Sequence, residues 1–245
     1  MDKVKRLTER IWYTDADERT DRPVLGYVSG DMASLMVDAG NSRQHAAILT
    51  DGVVAKGLAY PRYVAITHWH WDHCYGLSGI GAVSVASLET NLKLIEMSEW
   101  EWTDRAMSRR IETGEDILFC DENIRKEYPD RSLIDVKTAD IVFDGLLQID
   151  LGGVTCILMK LPNSHSEDSV VAYVPEEKVV FLGDITSEDF HNGTGSHHRE
   201  KLGMLIEALE WMDFELALHG HDEPRSKEYV LDYLREELEL LGEIL

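Results

Sequence analysis

Cysteine is scarce: Cys74, Cys120 and Cys156 are the only three among 245 residues, an odd number with no Cys-x-x-Cys pair. That argues against a disulfide framework and a thiolate zinc knuckle, and predicts free thiols. With 6 Pro and 18 Gly the chain is neither collagenous nor of low complexity. Basic residues are outnumbered, 24 Lys and Arg against 46 Asp and Glu, giving a net charge of −22. A field of that sign repels polyphosphate and anionic membrane surfaces, so neither nucleic acid nor a membrane is an expected partner. Long apolar runs are missing as well: Met1 to Thr14 carries Lys3, Lys5, Arg6, Glu9 and Arg10. No signal peptide or span is read there, and a cytoplasmic location is expected.

What remains is the composition of an ordinary globular chain, 44% hydrophobic and 29% charged, long enough to bury a real core. One domain over residues 1–245 is expected. Short β-type runs recur early, at Arg10 to Tyr13, Val24 to Val28 and Ser34 to Asp38, and suggest a meander. A helix is predicted over 42–56. Tyr63 to Thr67 is too short and too apolar for a helix and reads as a buried strand. A strand at Val83 to Ala86 and a helix from Leu88 to about Met97 continue an α/β alternation.

Residues 98–132 break this rhythm, with Trp100 and Trp102 set among charges, and read as a helical insertion. Strand patterning resumes at Ile141 to Phe143, Leu146 to Leu151, Val154 to Leu161, Val170 to Val174 and Val179 to Leu182, separated by turns such as Asp144-Gly145. Helices at about Arg199 to Met212 and Ser226 to Leu241 bracket a last short strand at Glu215 to Leu218. The leucines of the final helix suit packing on a sheet, with a homodimer surface as the alternative.

Directly after the apolar strand comes Thr67-His68-Trp69-His70-Trp71-Asp72-His73. Residues two apart on an extended segment point to one side, so His68 and His70 can close on one metal ion. As the chain turns, Asp72 and His73 can face a second. Two imidazoles and one further nitrogen make a three-ligand zinc site with a position left for water. Further candidates stand at other strand-to-loop junctions: His165 in Asn163-Ser164-His165-Ser166, Asp184 in Gly183-Asp184, and His219-Gly220-His221. With its two oxygens, Asp184 can bridge a pair of ions held ~3.5–4 Å apart.

These residues resemble the metallo-β-lactamase fold superfamily, with its His-x-His-x-Asp-His motif, a lone His, a lone Asp after an apolar strand and a late Gly-His. The likeness runs from about Val24 to Pro224 and includes Leu35 to Gly40, similar to the family's Leu-Ile-Asp-x-Gly strand. It implies a four-layer αββα sandwich of the α/β class with metals at one edge of two sheets. Carried over, His68, His70 and His165 form the first site, and Asp72, His73 and His221 the second, with Asp184 bridging. Asp38 takes a supporting place.

Spacing cannot choose between His219 and His221; the flanks, Gly220-His221-Asp222-Glu223-Pro224, similar to the family's late Gly-His motif, favour His221. The implied cofactor is two Zn2+ per chain, with iron or manganese as the alternative. The implied activity is hydrolysis of a small ester, thioester, lactone or lactam by metal-bound hydroxide, with Asp72 or Asp184 as the catalytic carboxylate that steers the hydroxide or relays its proton. A phosphodiesterase or an iron-dependent dioxygenase or redox protein of the same fold is the alternative. The superfamily is chemically broad, so fold alone does not name the substrate.

Other residues carry weaker expectations. Trp69 and Trp71 read as packing beside the metal loop, and Cys74 as a buried thiol. The 98–132 insertion is expected to wall the site, with Trp100 or Trp102 offering an apolar face to a small-molecule substrate. His191, His197 and His198, in a loop rich in Gly, Asn and Ser, are expected to be solvent-exposed.

Overall fold

A computed structural model describes residues 3–191 and 195–243. The strands are β1 (Val4–Arg6), β2 (Ile11–Thr14), β3 (Gly26–Ser29), β4 (Ser34–Val37), β5 (Tyr63–Ala65), β6 (Val83–Ser87), β7 (Ile141–Phe143), β8 (Leu146–Asp150), β9 (Thr155–Lys160), β10 (Val170–Val174), β11 (Val179–Gly183), β12 (Leu216–His219) and β13 (Arg225–Ser226). The helices are α1 (Arg43–Ala55), α2 (Trp71–Cys74), α3 (Leu88–Ser98), α4 (Asp104–Thr113), α5 (Leu118–Glu127), α6 (Arg199–Trp211) and α7 (Lys227–Glu243).

Helix starts follow local chemistry. Ser42, Ser87 and Thr103 each accept a hydrogen bond from the backbone N–H three residues on and so cap α1, α3 and α4. Strands β1 to β7 form one sheet in chain order, antiparallel up to β4 and parallel from β4 to β7. Strands β8 to β13 form the second, with β11 and β12 parallel. Asp144-Gly145 does not turn the chain back within a sheet: β7 ends the first sheet and β8 is an edge of the second, so this turn is the crossing point. Gly145 takes a φ of 77° there, a conformation open to glycine at no steric cost.

Alternation along the strands builds the layers. Val28, Leu35, Val37, Ala65 and Val85 of the first sheet meet Cys156, Leu158, Ala172, Phe181 and Leu218 of the second in a core between the sheets. The opposite faces pack outward. Tyr27, Met36, Val64 and Ala86 meet Leu49 and Val53 of α1 and Leu94 of α3, while Val171, Val180, Leu182 and Ala217 meet α6 and α7. Helix, sheet, sheet and helix thus stack as the αββα sandwich.

This architecture places the site. Parallel strands point their carboxyl ends the same way, and the chain leaves β4, β5, β11 and β12 at one edge, at Asp38, His68, Asp184 and Gly220. No helix among the described residues is long and apolar enough to cross a membrane.

Candidate metal centre

Two donor groups converge at that edge. In the first, His68 Nε2, His70 Nδ1 and His165 Nε2 lie 2.9–3.3 Å apart, and all three rings are buried. The far sides of two rings fix their tautomers. His165 Nδ1 donates to the Glu188 carbonyl at 2.9 Å. Thr67 Oγ1 gives its own proton to Asp38 Oδ2 and therefore accepts from His68 Nδ1, at 3.0 Å in each case. In the neutral rings both Nε2 atoms are lone pairs, and at most one proton, on His70, serves the three nitrogens. Burial and the neighbouring imidazoles hold His68 and His70 well below the ordinary histidine range, so these rings stay neutral and ready to coordinate. A cation satisfies all three nitrogens at once.

The second group joins Asp72, His73, Asp184 and His221, whose donor atoms lie within 4.8 Å of one another. His73 Nδ1 donates to Asp38 Oδ2 at 2.8 Å, leaving Nε2 to face Asp72 Oδ2 at 3.1 Å and Asp184 Oδ2 at 3.4 Å. That Nε2 is buried and makes no hydrogen bond, as expected where donors converge on a shared ion. His221 Nε2 stands 3.1 Å from Asp72 Oδ2 and 3.5 Å from Asp184 Oδ2.

Burial opposes the charge of both carboxylates, but the imidazoles of His73 and His221 outweigh it and hold Asp72 and Asp184 well below the usual range. In the same way, burial works against protonation of His221, yet Asp184 and Asp72 push it up to about 9. The site attracts positive charge inside an acidic protein. The donor set and the partnerless Nε2 of His73 fit a pair of divalent cations.

Asp38 supports both groups. It accepts from Thr67 N, Thr67 Oγ1 and His73 Nδ1, and it does so with a φ of 60°, in the left-handed region that Asp tolerates better than most residues. Gly220 is fixed by space: a Cβ there would sit 1.9 Å from Asp184 Oδ1. Only glycine lets β12 end against the carboxylate. Asp168, absent from the sequence reading as a functional residue, ties the two histidine loops together by accepting from Trp69 N, Thr90 Oγ1 and Ser166 Oγ.

The structure brings His68, His70 and His165 into one group and Asp72, His73, Asp184 and His221 into the other. His219 lies outside both; its Nδ1 meets Thr186 Oγ1 at 3.0 Å. Trp71 and Cys74 are buried, and the Cys74 thiol donates to the Trp69 and His70 carbonyls instead of facing the donors. Trp69 is half-buried and donates through Nε1 to Ser166 Oγ at 3.1 Å.

Two expectations need correction. Trp100 and Trp102 do not face the donors: their rings lie 4.4 and 4.8 Å from the buried Arg110 guanidinium, and Trp102 meets Tyr75. The gain from stacking on a desolvated cation draws them to the outer core. The insertion reaches the site through other residues. Ile117, Phe119 and Cys120 join Phe190, His191 and Asp21 around a cavity of about 390 Å³ that opens on His70, Asp72, His165, Asp184 and His221.

The second correction concerns the histidine loop. His191 stacks on His70 with ring centroids 4.3 Å apart, and burial lowers it to about 4; His197 is buried. Only His198 is exposed, where it caps α6. Phe190 and His191 line the cavity beside the donors and His197 is buried, so the polar composition around them is a poor guide to exposure. Asp21 was missed altogether. It lies 3.8 Å from His221 Nδ1, and burial together with the charge of Asp72 raises its carboxyl to about 7. No spacing signal marks it; only the folding of the β2–β3 connection onto the edge brings it in.

A buried edge of three imidazoles beside two carboxylates and two more imidazoles defines a metal-binding α/β sandwich. A family model described as the metallo-β-lactamase superfamily matches residues 20–223, and the chain belongs to that superfamily. Solved structures agree on the fold. A metallo-β-lactamase from Pontibacter korlensis is 16% identical with a TM-score of 0.65, covering 96% of this chain and 98% of that one. A metallo-β-lactamase from Pseudomonas aeruginosa, solved in a mono-zinc form, is 14% identical with a TM-score of 0.63, covering 97% and 95%. A stereoselective inverting sec-alkylsulfatase from Pseudomonas sp. is 17% identical with a TM-score of 0.68, covering 97% of this chain and 41% of that one. Among curated proteins, none matches the sequence.

Proposed function

We propose that the protein is a dinuclear zinc hydrolase of a small ester, thioester, lactone or lactam. The observation that supports two ions is the position of Asp184 Oδ2, 3.4 Å from His73 Nε2, 3.5 Å from His221 Nε2 and 3.6 Å from His165 Nε2. One carboxylate oxygen reaches both donor groups, as a ligand shared by ions about 3.5–4 Å apart must. Nitrogen and oxygen donors suit zinc, and a relative of the same fold is described in a mono-zinc form. When bound, the ions supply a Lewis acid and a water acidic enough to attack at neutral pH.

The chain's own residues do the rest. His68, His70 and His165 would hold one ion and Asp72, His73 and His221 the other, with Asp184 in reach of both. Asp72 and Asp184 line the cavity and stand where a proton leaving the nucleophile can be accepted and passed to a leaving group. Ile117, Phe119 and Phe190 give the cavity an apolar wall, and its volume of about 390 Å³ suits a small molecule with an apolar body. The test is an assay of chelated and zinc-reloaded protein on chromogenic esters, thioesters, lactones, lactams and phosphodiesters. Turnover of a carboxyl substrate that is lost on chelation and restored by zinc is expected; activity confined to phosphodiesters, or undiminished without metal, contradicts the reading.

A further inference from the structure

Apart from the two groups at the sheet edge, a third group of donors comes together. A ring nitrogen of His197 and one carboxylate oxygen each from Glu188 and Glu237 lie within 4.8 Å of one another. The three come from separate places in the chain: Glu188 from the loop after β11, His197 from the approach to α6, and Glu237 from the middle of α7. None belongs to the donor groups described above.

Two features mark this cluster as more than surface acidity. His197 is 7% exposed, and its Nε2 is buried without a hydrogen-bond partner. A native interior seldom leaves such a nitrogen idle, because losing water without gaining a partner is costly. Among the described residues, neither Glu188 nor Glu237 forms an ion pair with a lysine or arginine. Two carboxylates and an imidazole ask for a cation.

We propose that Glu188, His197 and Glu237 form a third cation site that takes a divalent first-row metal ion, with zinc as the ion used to probe it. The donor set decides the class. An imidazole disfavours calcium and magnesium, which take oxygen ligands, whereas one nitrogen and two carboxylates suit zinc or manganese and leave a position for water. The ion clips α7 to the loop whose Glu188 carbonyl accepts from His165 Nδ1 at 2.9 Å. Its role is structural, and the site stands whether or not the protein is a hydrolase.

The experiment counts zinc. Chelated protein is reloaded with zinc in slight excess, desalted and analysed for metal per chain, for the wild type and for Glu237→Ala, His197→Ala and Glu236→Ala. Glu237→Ala alters a half-buried position of α7 and leaves its apolar face intact, so it keeps the test valid if His197→Ala unfolds. The expected result is one ion fewer per chain in Glu237→Ala and His197→Ala than in the wild type, with Glu236→Ala unchanged. The difference is read against the wild type and does not depend on how many ions the main centre holds. Equal counts in the wild type and Glu237→Ala overturn the proposal. So does an extra ion that is retained only at millimolar zinc and survives Glu237→Ala, which is an adventitious ion only.

Discussion

Asp38 Oδ2 accepts a hydrogen bond from His73 Nδ1 at 2.8 Å and so determines which nitrogen of that ring faces the metal edge. The bond to a carboxylate places the proton on Nδ1 and turns Nε2 into a ligand. Asp38→Asn preserves the left-handed backbone, since Asn tolerates it as Asp does, but removes the negative charge that makes the imidazole a strong donor. Zinc affinity of the second group is expected to fall about 10- to 100-fold with the thermal transition little changed. Competition with a chromogenic chelator measures it, and unaltered affinity contradicts the role given to Asp38.

His221 and His219 separate cleanly. His221 stands within 3.1 Å of Asp72, whereas His219 meets Thr186. His221→Ala is expected to release one ion from the main centre, and His219→Ala to keep it with at most modest weakening. Metal analysis of the two variants decides, and the reverse pattern would put the ligand assignment two residues out of register.

The cavity wall belongs to Phe119 and not to the two tryptophans. Phe119→Ala is expected to raise KM severalfold for substrates with bulky apolar groups while metal content is unaffected. Trp100→Ala exposes the Arg110 guanidinium, whose Nε and Nη2 are already buried without partners, and is expected to cost about 2 kcal/mol or more of stability. Steady-state kinetics and thermal melts check the pair. A kinetic effect of Trp100→Ala at full stability would return that residue to the substrate wall.

Much of this was legible because chemistry and period coincide in the chain. Thr67 to His73 follows an apolar strand, so its alternating histidines announce that they converge on one side. Val154 to Leu161 and Val179 to Leu182 likewise end at His165 and Asp184. What was not legible depends on distant segments folding onto the edge. Asp21 follows a short turn with no motif, and His191 and His197 lie in a polar loop that packs inward. Trp100 and Trp102 had the right chemistry for a substrate wall, but Arg110, eight to ten residues on, claims their faces. The strand Val4–Arg6 is only three residues long and carries two charges, too little pattern to register.

Metal loading should depend on pH with a definite sign. Without metal, carboxylates hold a proton on His221 up to about 9 and raise His73 as well, against the cost of burial. A metal ion must displace those protons, so affinity for zinc at the second group is expected to rise with pH from about 6 towards 9. Calorimetry in buffers of different ionisation enthalpy should register proton release on binding at pH 7. Zero release would mean the second group does not take the ion through these imidazoles.

In the proposed centre, one edge of the sandwich holds a pair of ions that share Asp184. Anomalous diffraction at the zinc edge from crystals of the zinc-loaded protein tests it most directly. Two peaks are expected where the donors converge. One is bonded at about 2.0–2.1 Å to nitrogens of His68, His70 and His165, the other to His73 and His221 with Asp72, and Asp184 contacts both. A single peak bound only by the three histidines, or two peaks with Asp184 turned away from both, would contradict it.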